Sequence, residues 1–402
     1  MLVNSRLGEL TYCTQVHQAE SWEQLLKALQ SHVPRVKRSL SPNASFGLGL
    51  QLPANLARSL EAPGNLGRFK AWLRSEDLYV FTINGVAYGR HSRKAQRYGV
   101  DWRSELRLQY SNQLAKLLAQ LLPDQHPEGT VNTVAGGYRA DLTEPGSEEA
   151  MRDRLVRHAA YLYRLEESAG QSIALALEPA PDCYLTNVAN TIRFFHEVLF
   201  ADRSIVQFAS LTGATRGFSA SLLRRHLGVS LDAAHAAVEF EDVATLLDML
   251  QQADIPIKKL QLSSALRVPE VNAHHFTQLR RFTTRDHLHQ VVSRNPRGIC
   301  RYFDVDEALG NFAMQLRKGP TLPAEWRIHH HLPIFLERVP PFETTQPFLH
   351  DLLLAQRQKP FTRQLEVDTY PPVALPMYPG QPVLPDAIVR ELRWARDILC
   401  AP

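Results

Sequence analysis

No stretch of this 402-residue chain approaches the ~18 consecutive apolar residues of a membrane helix, so membrane insertion is not expected. Charge of one sign is lacking as well. Lys and Arg number 45 against 41 Asp and Glu, a net charge of +4. That balance leaves no electrostatic footprint for nucleic acid, and none is expected as a partner. The four cysteines (Cys13, Cys183, Cys300, Cys400) are scattered and form no C-x-x-C pair, which fits free thiols in a reducing cytosol. No basic region followed by an apolar core opens the chain, so no signal peptide is expected and the protein reads as cytoplasmic. Internal repeats and low-complexity tracts are missing too.

What is present is a hydrophobic content of 44%, enough for a large core, and a regular alternation of elements. Strand-like runs fall at Leu10–Thr14, Phe46–Leu50, Tyr79–Ile83, Thr130–Val134, Ile173–Leu177, Gly228–Asp232, Ile257–Leu262 and near Leu365. Helical spacing separates them, as in 22–29 behind the capping-box pattern Ser21-Trp-Glu-Gln24, in 103–122, 148–168, 186–200 and 241–253. Eight such units predict an α/β fold, a (β/α)₈ TIM barrel forming one domain over residues 1–402. An open doubly wound sheet is the alternative, weakened by the missing Gly-x-Gly-x-x-Gly turn after the first strand. Trp326–Pro333 supplies a ninth candidate strand, so one of the nine is accessory. Residues 265–325 read as a long insertion or lid after strand seven, including Arg285-Asp-His-Leu-His-Gln290. The long loop 86–102, with His91, and the segments after strands four and seven would crowd the strand-tip face. Residues 371–402 read as a proline-rich segment and a final helix capped by Asp386.

Acidic residues stand at three strand tips, and in a barrel the tips frame the active-site face. Glu178 follows an apolar run that Pro179 ends, so its half-buried carboxylate needs a metal or a basic partner. Asp232 ends a buried strand, with His235 one helical turn on; it reads either as a site residue or as a helix cap. Glu366 and Asp368 share one face of the last strand, one of them as metal ligand and the other as its outer partner, or both as solvated charges. In Trp326–Pro333, His329 and His331 share a face and His330 takes the other; His331, nearer the strand end, is the better ligand. Gln261 and Ser263 alternate inward on strand seven and suit substrate hydroxyls or core hydrogen bonds. His17 and Asn84, at or just past strand ends, join Ser263 as candidates for substrate contact. The candidate donors are therefore Glu178, Asp232, His331 ahead of His329, and one of Glu366 and Asp368, with His235 and Gln261 close by. Mixed carboxylate and imidazole donors fit a divalent ion such as Mn²⁺, Zn²⁺ or Mg²⁺. Such an ion would bind two oxygens of a polyol or hydroxyketone while Glu178 and Glu366 move a proton, or would activate water for hydrolysis.

This arrangement resembles the xylose isomerase-like TIM-barrel superfamily, which includes sugar phosphate isomerases and epimerases and the endonuclease IV type of repair enzyme. The resemblance implies metal ligands Glu, Asp, His and Glu at successive late strand tips. Glu178, Asp232 and Glu366 match the first, second and last. Gln261 stands where the His is expected, and His329 or His331 is the nearby substitute; the metal set this implies is Glu178, Asp232, His331 and Glu366, with His235, Gln261, His329 and Asp368 in support. A closer resemblance rests on Leu10-Thr-Tyr-Cys-Thr with His17, Val80-Phe-Thr-Ile-Asn-Gly, Leu260-Gln-Leu-Ser-Ser-Ala-Leu, Arg327-Ile-His-His-His-Leu-Pro and Leu365-Glu-Val-Asp-Thr-Tyr. Those phrases resemble the EboE-type metabolite traffic family. The resemblance implies a barrel that processes or exports a small metabolite beside other proteins of the same gene cluster. Isomerase or epimerase chemistry, a non-catalytic metabolite carrier and phosphodiester hydrolysis are the three functions it leaves open.

Overall fold

The computed structural model describes residues 1–17, 19–89, 98–124, 126, 128–282, 289–368 and 384–401. One sheet holds β1 (Leu2–Asn4), β2 (Gly8–Tyr12), β3 (Phe46–Gln51), β4 (Leu78–Asn84), β5 (Gly129–Val134), β6 (Ile173–Glu178), β7 (Leu227–Asp232), β8 (Ile257–Leu262) and β15 (Gln364–Val367). Their order is β1-β2-β15-β8-β7-β6-β5-β4-β3. Every pairing from β2 round to β3 is parallel, and only β1 runs antiparallel, against the start of β2. The circle closes where Cys13 bridges Gly49 and the Thr11 hydroxyl donates to the Gly47 carbonyl at 2.7 Å. Eight parallel strands that meet end to end make the expected (β/α)₈ barrel. In a doubly wound sheet β2 and β3 would be far-apart edges.

Helices wrap the barrel as the apolar spacing predicts. The helix Trp22–Leu40 starts where the Ser21 side chain accepts from the Gln24 amide, and it buries Trp22, Leu25, Leu29, Val33 and Val36. Two helices, Asp202–Thr212 and Arg216–His226, fall where the sequence reading places none. Each buries only a few side chains, Ser204 and Phe208 in one and Ser219, Leu222, Leu223 and His226 in the other. The final helix spans Leu384–Cys400 and already includes Asp386 in its first turn, so Asp386 does not cap it. His91, the 285–288 part of the charged motif and the proline-rich 371–383 lie outside the described residues.

Between β8 and the helix Gln346–Gln358 the chain builds a second sheet. It contains β9 (Ser264–Val268), β10 (Val291–Asn295), β11 (Gly298–Tyr302), β12 (Glu325–Leu332), β13 (Arg338–Val339) and β14 (Phe342–Thr344). The order is β11-β10-β12-β9-β14-β13, antiparallel throughout. The ninth candidate strand is β12, and it lies in this sheet and not in the barrel. Leu266, Phe282, Trp326, Ile328 and Phe342, with Val305, Leu309 and Phe312 of the helix Val305–Lys318, give the second sheet its own apolar core.

The barrel interior is polar, and small residues make room for it. Lys259 and Glu366 are both 0% exposed and form an ion pair. Asn84 closes the set: its Oδ1 accepts from Lys259 Nζ at 2.7 Å, and its Nδ2 donates to Glu366 Oε2 at 2.9 Å. Gly49 is required here, because a Cβ at that position would sit 1.6 Å from Glu366 Oε1.

Candidate metal centre

Asp232 ends β7 and caps the helix Ala233–Val238, and it does both with one oxygen. Its Oδ1 accepts from the His235 amide at 2.7 Å and from the Ser263 hydroxyl at 3.0 Å. Ser263 Oγ in turn accepts from the Ala234 amide at 2.9 Å. The cap and site readings of Asp232 are therefore compatible. Oδ2 faces the barrel mouth, 3.9 Å from His331 Nε2.

The two histidines arrive from β12 through a break in its ladder. Ile328 is opposite Leu266 and His331 is opposite Ala265, so two residues of β12 intervene where β9 has none. Such bulges re-aim side chains. His330 turns into the second sheet, its ring 5.3 Å from Phe282 and 5.0 Å from His289. His329 and His331 turn to the barrel with their rings 5.0 Å apart. The Nδ1 of His331 donates to the Asp368 carbonyl at 2.8 Å, which directs Nε2 toward Asp232. A backbone carbonyl behind the ring is the usual outer partner of a metal-binding imidazole. Asp232, His329 and His331 each present a donor atom within 4.8 Å of the other two, the one such group among the described residues. Donors around one ion with ~2.1 Å bonds lie roughly 3–4 Å apart, so small side-chain adjustments would seat it. Two imidazoles and a carboxylate fit a transition ion such as zinc, manganese or iron.

Glu178, at the tip of β6, faces the same small cavity of about 30 Å³, together with His235, Asp368 and the three donors. Its carboxylate accepts from the side-chain amides of Asn132 and Gln261. Burial first, then the charges of Asp232 and Asp368, push its carboxyl up to about 8. Gln15 from beyond β2 donates to the Asp368 carboxylate. His235 is buried, and its Nε2 donates to the Thr186 carbonyl at 2.7 Å.

The remaining expected residues stand elsewhere. Glu366 does not join the three donors, because Lys259 and Asn84 hold it inside the barrel. Asn84 is occupied by the same pair, and it also donates to Cys13 Sγ at 3.3 Å. His17 turns away from the mouth: its Nε2 bonds the Tyr12 hydroxyl at 2.9 Å, and its ring stacks on His32 of the first long helix at 5.2 Å. Gln261 and Ser263 reach no open space of their own and brace Glu178 and Asp232. Three contributors escaped the sequence reading: Asn132, Lys259 and Gln15. Asn132 and Lys259 carry a signal in retrospect, each a polar residue in the inward phase of a buried strand.

No family model matches the chain, and no curated protein matches it. Solved structures similar to it include a xylose isomerase domain protein from Planctomyces limnophilus, at 11% identity over 92% of this chain and 90% of that one, with a TM-score of 0.43. The IOLI protein with a bound zinc atom matches at 11% identity over 97% of both chains, TM-score 0.45. The 3-keto-D-glucoside 4-epimerase from E. coli matches at 12% identity over 97% of this chain and 99% of that one, TM-score 0.45. The barrel assignment rests on the strand order itself. Among the described residues no helix is long and apolar enough to cross a membrane.

Proposed function

We propose that the chain is a metal-dependent barrel of the xylose isomerase-like kind, acting on an oxygen-rich small metabolite by isomerase- or epimerase-type proton transfer. The observation that carries this reading is the meeting of Asp232, His329 and His331 at the strand-tip mouth, beside the buried carboxyl of Glu178. A divalent ion held there would polarise a substrate carbonyl or hydroxyl and ease removal of the neighbouring C–H proton. Glu178, fixed by Asn132 and Gln261, then serves as one of the two groups that exchange a proton with the substrate. Asp368, across the cavity and braced by Gln15, is the carboxylate placed to take a proton. Glu366 has no part in this scheme, since its charge is met by Lys259. The EboE-type resemblance adds a setting, a pathway that processes or exports the metabolite beside other proteins of its gene cluster.

The same ion pair favours a second reading, a carrier that holds a metabolite without turning it over, because one member of the expected acid/base pair is locked away. Elemental mass spectrometry of the purified protein decides the first step. About one equivalent of a transition metal in the wild type, lost in a His329→Ala, His331→Ala double variant, is the expected result. With metal present, incubation with ketoses and polyols in D₂O separates the readings: deuterium at a carbon next to a carbonyl marks the enzyme, and binding without exchange marks the carrier. Absence of metal after loading with excess ions sinks the metal-dependent function.

A further inference from the structure

We propose that docking of the second sheet onto the barrel and binding of the metal ion form one coupled equilibrium, with Phe240 and Arg301 as the residues that position the centre. This rests on the reading of Asp232, His329 and His331 as a metal site. The three donors come from two bodies. Asp232 ends a barrel strand, whereas His329 and His331 lie on β12, whose ladder partners β9 and β10 both belong to the second sheet. That sheet has a core of its own. The apolar seam joining it to the barrel is thin: Ala234 and Val238 of the barrel helix meet Ala265 and Val292 of the sheet, with Phe240 at the margin. Side chains this small remove little apolar area from water, so they supply little of the holding force.

Polar contacts supply more: His331 on the Asp368 carbonyl, the Ile334 amide on Glu391, and a group that converges on residues 237–240. Phe240 takes a left-handed backbone conformation, φ 60°, which is costly for a bulky side chain and calls for a compensating contact. The guanidinium carbons of Arg294 and Arg327, on β10 and β12, lie 4.3 Å and 4.1 Å from its ring centroid. Arg327 also donates to the Ala237 carbonyl at 2.5 Å. From β11, Arg301 donates to the buried Glu239 carboxylate at 2.9 Å and 2.5 Å. These contacts grip the end of the helix whose start is capped by Asp232. They therefore set the separation of the histidine pair from Asp232 without supplying a donor. The chain enters the sheet at Ser264 and leaves it at Thr344, on neighbouring strands, with Ile334 in the barrel core close by, so the contacts at 237–240 hold the side of the sheet farther from that root. An ion that needs donors from both bodies binds only the docked form. By linkage, it strengthens docking by the factor by which docking strengthens its binding.

The test is a Co²⁺ titration of the full chain, followed by visible absorption, beside hydrogen exchange with and without Zn²⁺. Phe240→Leu keeps the apolar bulk and loses the aromatic face; Arg301→Gln breaks the separate Glu239 contact and serves if the first variant does not fold. Each is expected to weaken Co²⁺ binding about tenfold, as a change behind a ligand does. In the wild type, Zn²⁺ is expected to slow exchange across residues 291–302 and 325–332 together, and Asp232→Ala is expected to abolish that slowing. Wild-type Co²⁺ affinity in the folded variants, or Zn²⁺ protection confined to residues 328–332, overturns the coupling and leaves the metal centre standing. Failure of the wild type to bind Co²⁺ overturns both.

Discussion

Two carboxylates flank Gln261 in the same register, Glu366 on β15 and Asp232 on β7, and they meet opposite fates. Glu366 turns into the closed barrel, where the chain supplies its own cation, Lys259, and a bridging amide, Asn84. Asp232 turns to the mouth, where the cavity is lined by Glu178 and Asp368 as well, and by no lysine or arginine among the described residues. What faces Asp232 is a pair of imidazoles. A buried carboxylate demands a countercharge. Inside the barrel the sequence provides it; at the mouth it provides nitrogen and oxygen donors of the kind that suit a divalent ion. The difference separates a structural acid from a candidate functional one better than burial does, since both are buried.

The sharpest way to break that contrast is Lys259→Met. It strands Glu366 in a closed interior, and removing one partner of a buried pair costs about 3–5 kcal/mol. Urea denaturation should show that loss, and Lys259→Met with Glu366→Leu should recover most of it. If the single variant is as stable as wild type, Glu366 does not depend on an internal cation and the two carboxylates are alike. At the mouth the signature is inverted. His331→Ala should leave the metal-free fold close to wild type, yet weaken Zn²⁺ binding by more than the ~10–100-fold expected of a change behind a ligand. Isothermal titration with Zn²⁺ reads it, and an unaltered affinity removes His331 from the centre.

Histidines divide in the same way, and acid separates them. His17, His158 and His226 pack between the barrel and its helices, where burial pushes their ring pKa values down to about 3, 3 and 4. Above pH ~6.5 neither folded nor unfolded chain carries these protons, and the fold keeps its full stability. As pH falls below that value the unfolded chain binds protons that the folded chain refuses. Each residue then costs about 1.4 kcal/mol per pH unit until its folded value is reached. Denaturation midpoints taken from pH 7 to pH 5 should fall, and less steeply in His158→Gln. Equal slopes would mean that His158 is not held neutral.

The barrel was legible in the sequence because its strands are apolar runs between capped amphipathic helices, a pattern that local chemistry writes directly. Glu178 and Asp232 could be put at strand ends for a related reason: Pro179 ends one strand, and Asp232 starts a helix. The ion pair was not legible. Lys259 shares the inward phase of Gln261 and Ser263, but nothing local names its partner, which lies more than a hundred residues on. The pairing of β12 with β9 was hidden as well, since a strand reads the same whichever sheet it joins. That ambiguity decides whether His329 and His331 meet Asp232, and only the bulge between Ile328 and His331 resolves it.

The smallest test concerns Ser263, which touches Asp232 without being a donor. Its hydroxyl donates to Oδ1 and accepts from Ala234, so it holds Asp232 with Oδ2 toward the histidines. Ser263→Ala leaves the His235 amide on Oδ1 and so preserves the helix cap. Stability should fall by about 1 kcal/mol, the net worth of an ordinary hydrogen bond. Zn²⁺ affinity should fall about tenfold, because the carboxylate can then rotate. Ser263→Thr keeps the hydroxyl and should restore the affinity if the pocket admits the methyl group. A loss of stability with unchanged Zn²⁺ affinity would place Ser263 with Glu366 and Lys259, as part of the barrel's own framework, and would move the boundary between the two regions one residue outward along the chain from Leu262.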